Sequence, residues 1–197
     1  MDKRCGEATG HPGMLQVKQH SQKIELDAMG WIRMEIQFDA LPNTLERFIR
    51  MPQFDLTSPH HVAALYVVAL CAYPHSPSAC FNMIDAIKGP QRLTPMERQY
   101  IQNHMVGKAG YIGKSYFNGA LPGNDYLPYI PYTITVFEHA KQGIQNGFCV
   151  LLLCSGGAKQ PREVTLRNDA ANWFLWEHAE LLADIQPPMR NDPWKDS

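Results

Sequence analysis

The chain has 197 residues, 45% of them hydrophobic and 19% charged, with a formal net charge of -1. That length suits one domain, and the apolar content is enough for a core, which excludes wholesale disorder. The balanced charge leaves no electrostatic footprint for nucleic acid or for an anionic membrane. The longest apolar run, Val62 to Tyr73, spans twelve residues and is too short to cross a bilayer. The first residues carry no apolar run of signal-peptide length. The five cysteines are an odd number with no C-x-x-C pair, so they read as reduced thiols and the expected address is cytoplasmic.

Residues 1–28 are polar and lack apolar periodicity, and are expected to form a flexible leader to a single α+β domain over 29–197. Trp31 to Phe38 alternates Ile32, Met34, Ile36 and Phe38 with Arg33, Glu35 and Gln37, a period of two that predicts a half-buried strand, although its composition also suits a helix. Leu41 to Met51 predicts a short helix with Leu45, Phe48 and Ile49 on one face, stopped by Pro52. Ser58-Pro59 opens a helix to about Tyr73 that is apolar nearly all round and so central in the core. Ser76-Pro77 opens another to Lys88, closed by Gly89. Thr94 and Glu97 form a capping box for a third, running to about Val106.

Residues 107–131 carry many glycines and prolines together with Tyr111, Tyr116, Phe117, Tyr126 and Tyr129. So many aromatics argue for an ordered loop, and ordered loops of this length are often functional. Strand patterns follow at 132–138, 148–154, 162–167 and 172–177. The last three are joined by short polar connections, so an antiparallel meander is the economical topology. A short helix over 179–184 leads to Pro187 and Pro188. The fold class expected is therefore α+β, with N-terminal helices packed on a C-terminal antiparallel β-meander.

The segments Lys114 to Pro128, Ser155-Gly156-Gly157-Ala158 running into Pro161-Arg162, Trp173 to Trp176, and Asp192-Pro193-Trp194 resemble, in this order, a family of uncharacterised bacterial proteins of unknown function. The resemblance covers about residues 36–197 and implies no catalytic residue. At the level of architecture alone, helices followed by a meander with a Trp-rich last strand are similar to NTF2-like cone folds, and fold does not fix function.

Two loops carry the candidate chemistry. The glycines of the 155–162 loop can turn backbone N–H groups toward one point. With Ser155, Gly156 and Gly157 at the turn and positive charge added by Lys159 or Arg162, that would make a small anion or carboxylate site. The alternative is a hairpin loop whose glycines supply positive φ. In the long loop, Lys114, Tyr116, Asn118, Asn124 and Tyr126 suit a pocket wall or a protein contact, or else the aromatics plug the sheet. No metal site or cofactor is expected. His60 and His61 diverge on a helix, and Cys149 and Cys154 face opposite sides of a strand. Glu177 and His178 read as a solvated strand end at which at most one side chain could line a pocket. The expected function is a non-catalytic domain binding a small ligand or a protein through residues 107–131 and 155–162. The alternative is a small-molecule enzyme with a pocket between helices and a curved sheet. The expected partners are an unknown small molecule or protein rather than nucleic acid or membrane, and a homodimer through an exposed sheet face is left open.

Overall fold

The polypeptide alternates two kinds of hydrophobic period, and each builds one layer of the structure. The computed structural model describes residues 23–26, 30–139 and 143–191. Six antiparallel strands lie in sequence order across one sheet: β1 (Lys23–Leu26), β2 (Trp31–Phe38), β3 (Tyr132–His139), β4 (Phe148–Leu153), β5 (Arg162–Asp169) and β6 (Asn172–Glu177). The four helices, α1 (Leu45–Ile49), α2 (Pro59–Cys71), α3 (Pro77–Lys88) and α4 (Pro95–Met105), are inserted between β2 and β3. The α+β class and the C-terminal meander are as expected. Two strands nevertheless precede the helices, and β1 falls inside the stretch read as a leader, where it pairs with β2. The rest of that leader lies outside the described residues, as does the Asp192–Trp194 segment.

The period-2 reading of 31–38 holds. Met34, Ile36 and Phe38 are buried, and Trp31 to Phe38 pair residue by residue with His139 to Tyr132 of β3. The same alternation buries Ile134 and Val136 on β3, Leu151 and Leu153 on β4, and Val164 and Leu166 on β5. On that face sits α2, in contact with β2 to β6, and every residue from His60 to Leu70 is buried. An all-round apolar helix has no solvated stripe to offer, so it can only be central.

Start signals act as expected at three helices. Ser76 Oγ accepts from the Ala79 N–H, Thr94 and Glu97 make the reciprocal box, and each helix begins with proline. Ser58 occupies the N-cap of α2 without a side-chain bond there. Helix α1 is a five-residue piece in which Phe48 is buried while Ile49 is exposed, so the predicted three-residue face is narrower than expected. The short helix expected over 179–184 is a 3-10 turn, Ala179–Leu182, and a second 3-10 turn, Met189–Asn191, follows it. No helix among the described residues is long and apolar enough to cross a membrane.

Candidate functional site

The 107–131 loop and the 155–162 loop are brought together, as a packed joint. Tyr111, Ile112, Tyr116, Phe117 and Tyr126 are all buried. The Tyr116 hydroxyl donates to the Leu181 carbonyl at 2.7 Å, the Tyr126 hydroxyl donates to the Gln186 carbonyl at 2.6 Å, and Tyr111 stacks on Tyr126. Burial pushes the Tyr126 phenol up to about 12. Across the joint, the Ser155 hydroxyl donates to Ser115 Oγ, and the Gly156 N–H donates to the Ser115 carbonyl at 2.8 Å. The Gly157 N–H turns back to Ser155 Oγ at 3.1 Å. These N–H groups, expected to converge on an anion, therefore face protein oxygens.

Neither hairpin glycine has positive φ, which corrects the reason given for them. They are required by close approach. A Cβ at Gly156 would lie 2.0 Å from the Ala120 carbonyl oxygen, and one at Gly157 would lie 2.1 Å from the Tyr126 hydroxyl. Asn124 splints the loop, accepting from the Leu121 N–H and donating to the Gly119 and Leu127 carbonyls. Asn118 bonds through its backbone to Thr133 and Tyr129, and its Oδ1 accepts from Thr135 Oγ1. Lys114 is exposed, and Arg162 carries a buried Nε with no hydrogen-bond partner. Of the nine residues singled out from the sequence, Tyr116, Tyr126, Ser155, Gly156 and Gly157 thus form one joint, while Lys114, Asn118, Asn124 and Arg162 lie around it. What the loop turns outward is an apolar ledge of Leu121, Leu127, Tyr129 and Ile130, all more than half exposed.

A second place was not singled out by the sequence. Where β6 ends, a hollow of about 360 Å³ opens against α4, walled by Tyr100 and Trp176 and bordered by Glu97, His178, Glu163, Glu177 and Glu180. Two further hollows adjoin it and share Trp176. The floor is a polar chain drawn from four elements. Lys88, the last residue of α3, donates to Glu97 Oε1 at 2.8 Å. Glu97 Oε2 is occupied by the Thr94 N–H and hydroxyl in the capping box. His178 Nε2 lies 3.7 Å from Glu97 Oε1, a through-space contact longer than a hydrogen bond. On its other side, His178 Nδ1 meets the hydroxyl of Tyr66, which is fully buried at the middle of α2, at 2.9 Å.

The electrostatics follow from that order. His178, Lys88 and Thr94 together hold the Glu97 carboxyl well below the usual carboxylate range, against the cost of its partial burial. Burial lowers His178 despite the neighbouring Glu97, so its imidazole is neutral at pH 7. A neutral ring beside a fixed anion turns its Nε2–H toward Glu97, which leaves Nδ1 to accept from Tyr66. His178 is thus buried and bonded, not the solvated strand end expected, whereas Glu177 is exposed. The expectation that at most one of the pair could line a pocket is corrected, since both border the hollow: His178 lies just past the end of β6, where strict alternation no longer applies, and is buried, while Glu177 stays exposed at the rim.

A separate histidine–glutamate pair forms in the first turn of α2. His60 Nε2 is 3.1 Å from Glu138 Oε2 without hydrogen-bond geometry, and His61 turns away toward the Gln53 carbonyl. The two histidines diverge as helix geometry requires. Among the described residues, no group of three or more His, Cys, Asp or Glu is placed to hold a metal ion.

Fold and hollow together define an α+β protein with helices on one face of a six-stranded antiparallel meander and a polar-floored pocket at the end of its last strand. The chain belongs to the family described as Domain of unknown function (DUF6935), whose model matches residues 40–189. The family resemblance read from the sequence is therefore real, with limits slightly inside the expected 36–197. No curated protein and no solved structure matches the chain, and the likeness to NTF2-like cones gains no support from these comparisons.

Proposed function

We propose that this chain is a small-ligand-binding domain whose binding place is the hollow at the end of β6. The observation that carries this reading is the pairing of aromatic walls, Tyr100 and Trp176, with the ordered polar floor Lys88–Glu97–His178–Tyr66. Pockets of a few hundred Å³ with apolar walls and a few convergent polar groups are the usual form of small-molecule sites. Binding is favoured over catalysis because Glu97 is a permanent anion at neutral pH. A carboxylate held that far below neutrality neither gives nor takes protons usefully. The loop–hairpin joint acts as scaffold. A reducing, cytoplasmic setting suits the free thiols Cys71, Cys80, Cys149 and Cys154.

A fragment screen read by thermal shift and by tryptophan fluorescence tests the reading. Ligands of the hollow raise Tm for the wild type and lose that effect in Trp176→Ala. Hits that survive Trp176→Ala unchanged would place binding elsewhere and end the proposal.

One observation favours a second reading. Four large apolar side chains, Leu121, Leu127, Tyr129 and Ile130, stand exposed within ten residues on a splinted loop, and concentrated apolar exposure marks protein contacts. The simplest occupant is a second copy. Sedimentation of wild type and Ile130→Asp across a concentration series tests it: self-association abolished by the aspartate supports this reading, and a monomer throughout removes it.

A further inference from the structure

The hollow's lining has a chemical bias that narrows the ligand. Among the residues bordering it, four are glutamates and none is lysine or arginine. Lys88, behind Glu97, neutralises it, and among the described residues Glu163, Glu177 and Glu180 at the rim have no ion-pair partner, Glu180 Oε2 accepting only the Glu163 N–H. His178, with a side chain only 4% exposed, borders the space, and its Nε2 stays beyond hydrogen-bond length from Glu97 Oε1. That oxygen keeps acceptor capacity toward a donor in the hollow. The rest of the lining is Met96, Tyr100, Thr165, Trp176 and Ala179, so two aromatic rings dominate the uncharged wall. Trp176 already receives one cation from within the chain: the Arg167 guanidinium carbon lies 4.8 Å from its ring centroid. Negative rim, aromatic wall and an oxygen with a spare lone pair are together what recognises a positively charged group on an apolar body.

We propose that the hollow binds an organic cation, a protonated amine or quaternary ammonium carried on a small apolar group. This rests on the reading of the hollow as a ligand site and adds the sign of the ligand's charge. An anionic ligand would have to approach three carboxylates, and a neutral one would gain nothing from them.

The test uses three probes of one shape and different charge: benzylammonium, benzyl alcohol and benzoate. Binding to the full chain is followed by tryptophan fluorescence and calorimetry at low salt. Benzylammonium should bind at least fivefold more tightly than benzyl alcohol, and benzoate should show no saturation. The triple change Glu163→Gln, Glu177→Gln, Glu180→Gln should weaken benzylammonium about fivefold and leave benzyl alcohol unchanged, because rim charges each contribute modestly. Arg167→Gln removes a competing cation and should tighten benzylammonium roughly twofold. These variants are surface changes, and unchanged melting curves verify their folding. Equal binding of benzyl alcohol and benzylammonium, lost in Trp176→Ala, would overturn the charge assignment while the ligand site stands. Benzylammonium binding that ignores both Trp176→Ala and the triple change would overturn both, as would the absence of saturation by all three probes.

Discussion

His60, buried in the first turn of α2, makes the stability of this protein pH-dependent in a direction that can be worked out. Burial and the neighbouring His61 lower His60 from 6.5 to about 4, and its ring is nearly closed to solvent. In the unfolded chain His60 takes up a proton below pH 6.5, while in the folded protein it stays neutral until about pH 4. The stability held above pH 6.5 is therefore lost as the pH falls through this window. The full difference amounts to roughly 3 kcal/mol, of which about 2 kcal/mol is gone by pH 5. His61 and His178 are lowered too and add to the same slope. Glu138, raised by burial, works the other way, because the folded protein holds its proton to higher pH than the unfolded chain. Urea unfolding of wild type and His60→Gln at pH 7 and pH 5 isolates the His60 share. The wild type should lose about 2 kcal/mol more than the variant between the two pH values. Equal losses in both proteins would refute the neutral burial of His60.

The Glu97→Gln change keeps an oxygen for the capping box but leaves the Lys88 ammonium, 6% exposed, without its counter-ion. It should cost about 2–3 kcal/mol, and adding Lys88→Met should recover at least half of that, as measured by a double-mutant denaturation cycle. Gly156→Ala drives a Cβ against the Ala120 carbonyl oxygen, a backbone atom that cannot step aside. It should lower stability by about 3 kcal/mol, and thermal unfolding reads the effect directly. Ala170 sits at φ 51° in the tight β5–β6 turn. Ala170→Gly should therefore stabilise by about 0.5–1 kcal/mol, seen as a small rise in Tm, with no change expected if the turn tolerates the left-handed conformation already.

What the sequence revealed of the fold is what depends on neighbours along the chain. The capping box at Thr94–Glu97, the Ser76-Pro77 start, the all-round apolar character of 59–71 and the alternation of 31–38 and 162–167 are local patterns, and each forms the element it implies. Strand β1 was missed because Lys23–Leu26 has no periodic signal beyond its own four residues, and its place in the sheet comes from backbone pairing with β2. The hairpin glycines were legible as special. Their cause was not, since a Cβ clash with Ala120 or Tyr126 exists only once the two loops meet. The floor of the hollow was the least legible part. Lys88, Glu97, His178 and Tyr66 lie on four elements, with Tyr66 and His178 separated by 112 positions. Glu97 carried a visible signal, but the capping box fully accounted for it and concealed its second partner.

That double role of Glu97 explains why the pocket sits where it does. The end of α3, the start of α4 and the end of β6 converge there, and each leaves polar groups that no regular ladder satisfies. One carboxylate answers two of those ends at once: Oε2 closes the first turn of α4, and Oε1 takes the ammonium that finishes α3. With Oε2 held by the Thr94 N–H and hydroxyl and Oε1 by the Lys88 ammonium, the carboxylate is fixed in orientation while Oε1 keeps one acceptor site open, and the Tyr66 hydroxyl holds His178 beside it. A site arranged this way loses little conformational entropy on binding, since its charged group and its aromatic walls stand on helix and strand instead of on a mobile loop. The long aromatic loop contributes as solid packing, with Tyr116 and Tyr126 buried and bonded to the carbonyls of Leu181 and Gln186. The hollow walled by Tyr100 and Trp176 opens instead at the end of β6, beside the polar chain that joins α3, α4 and α2.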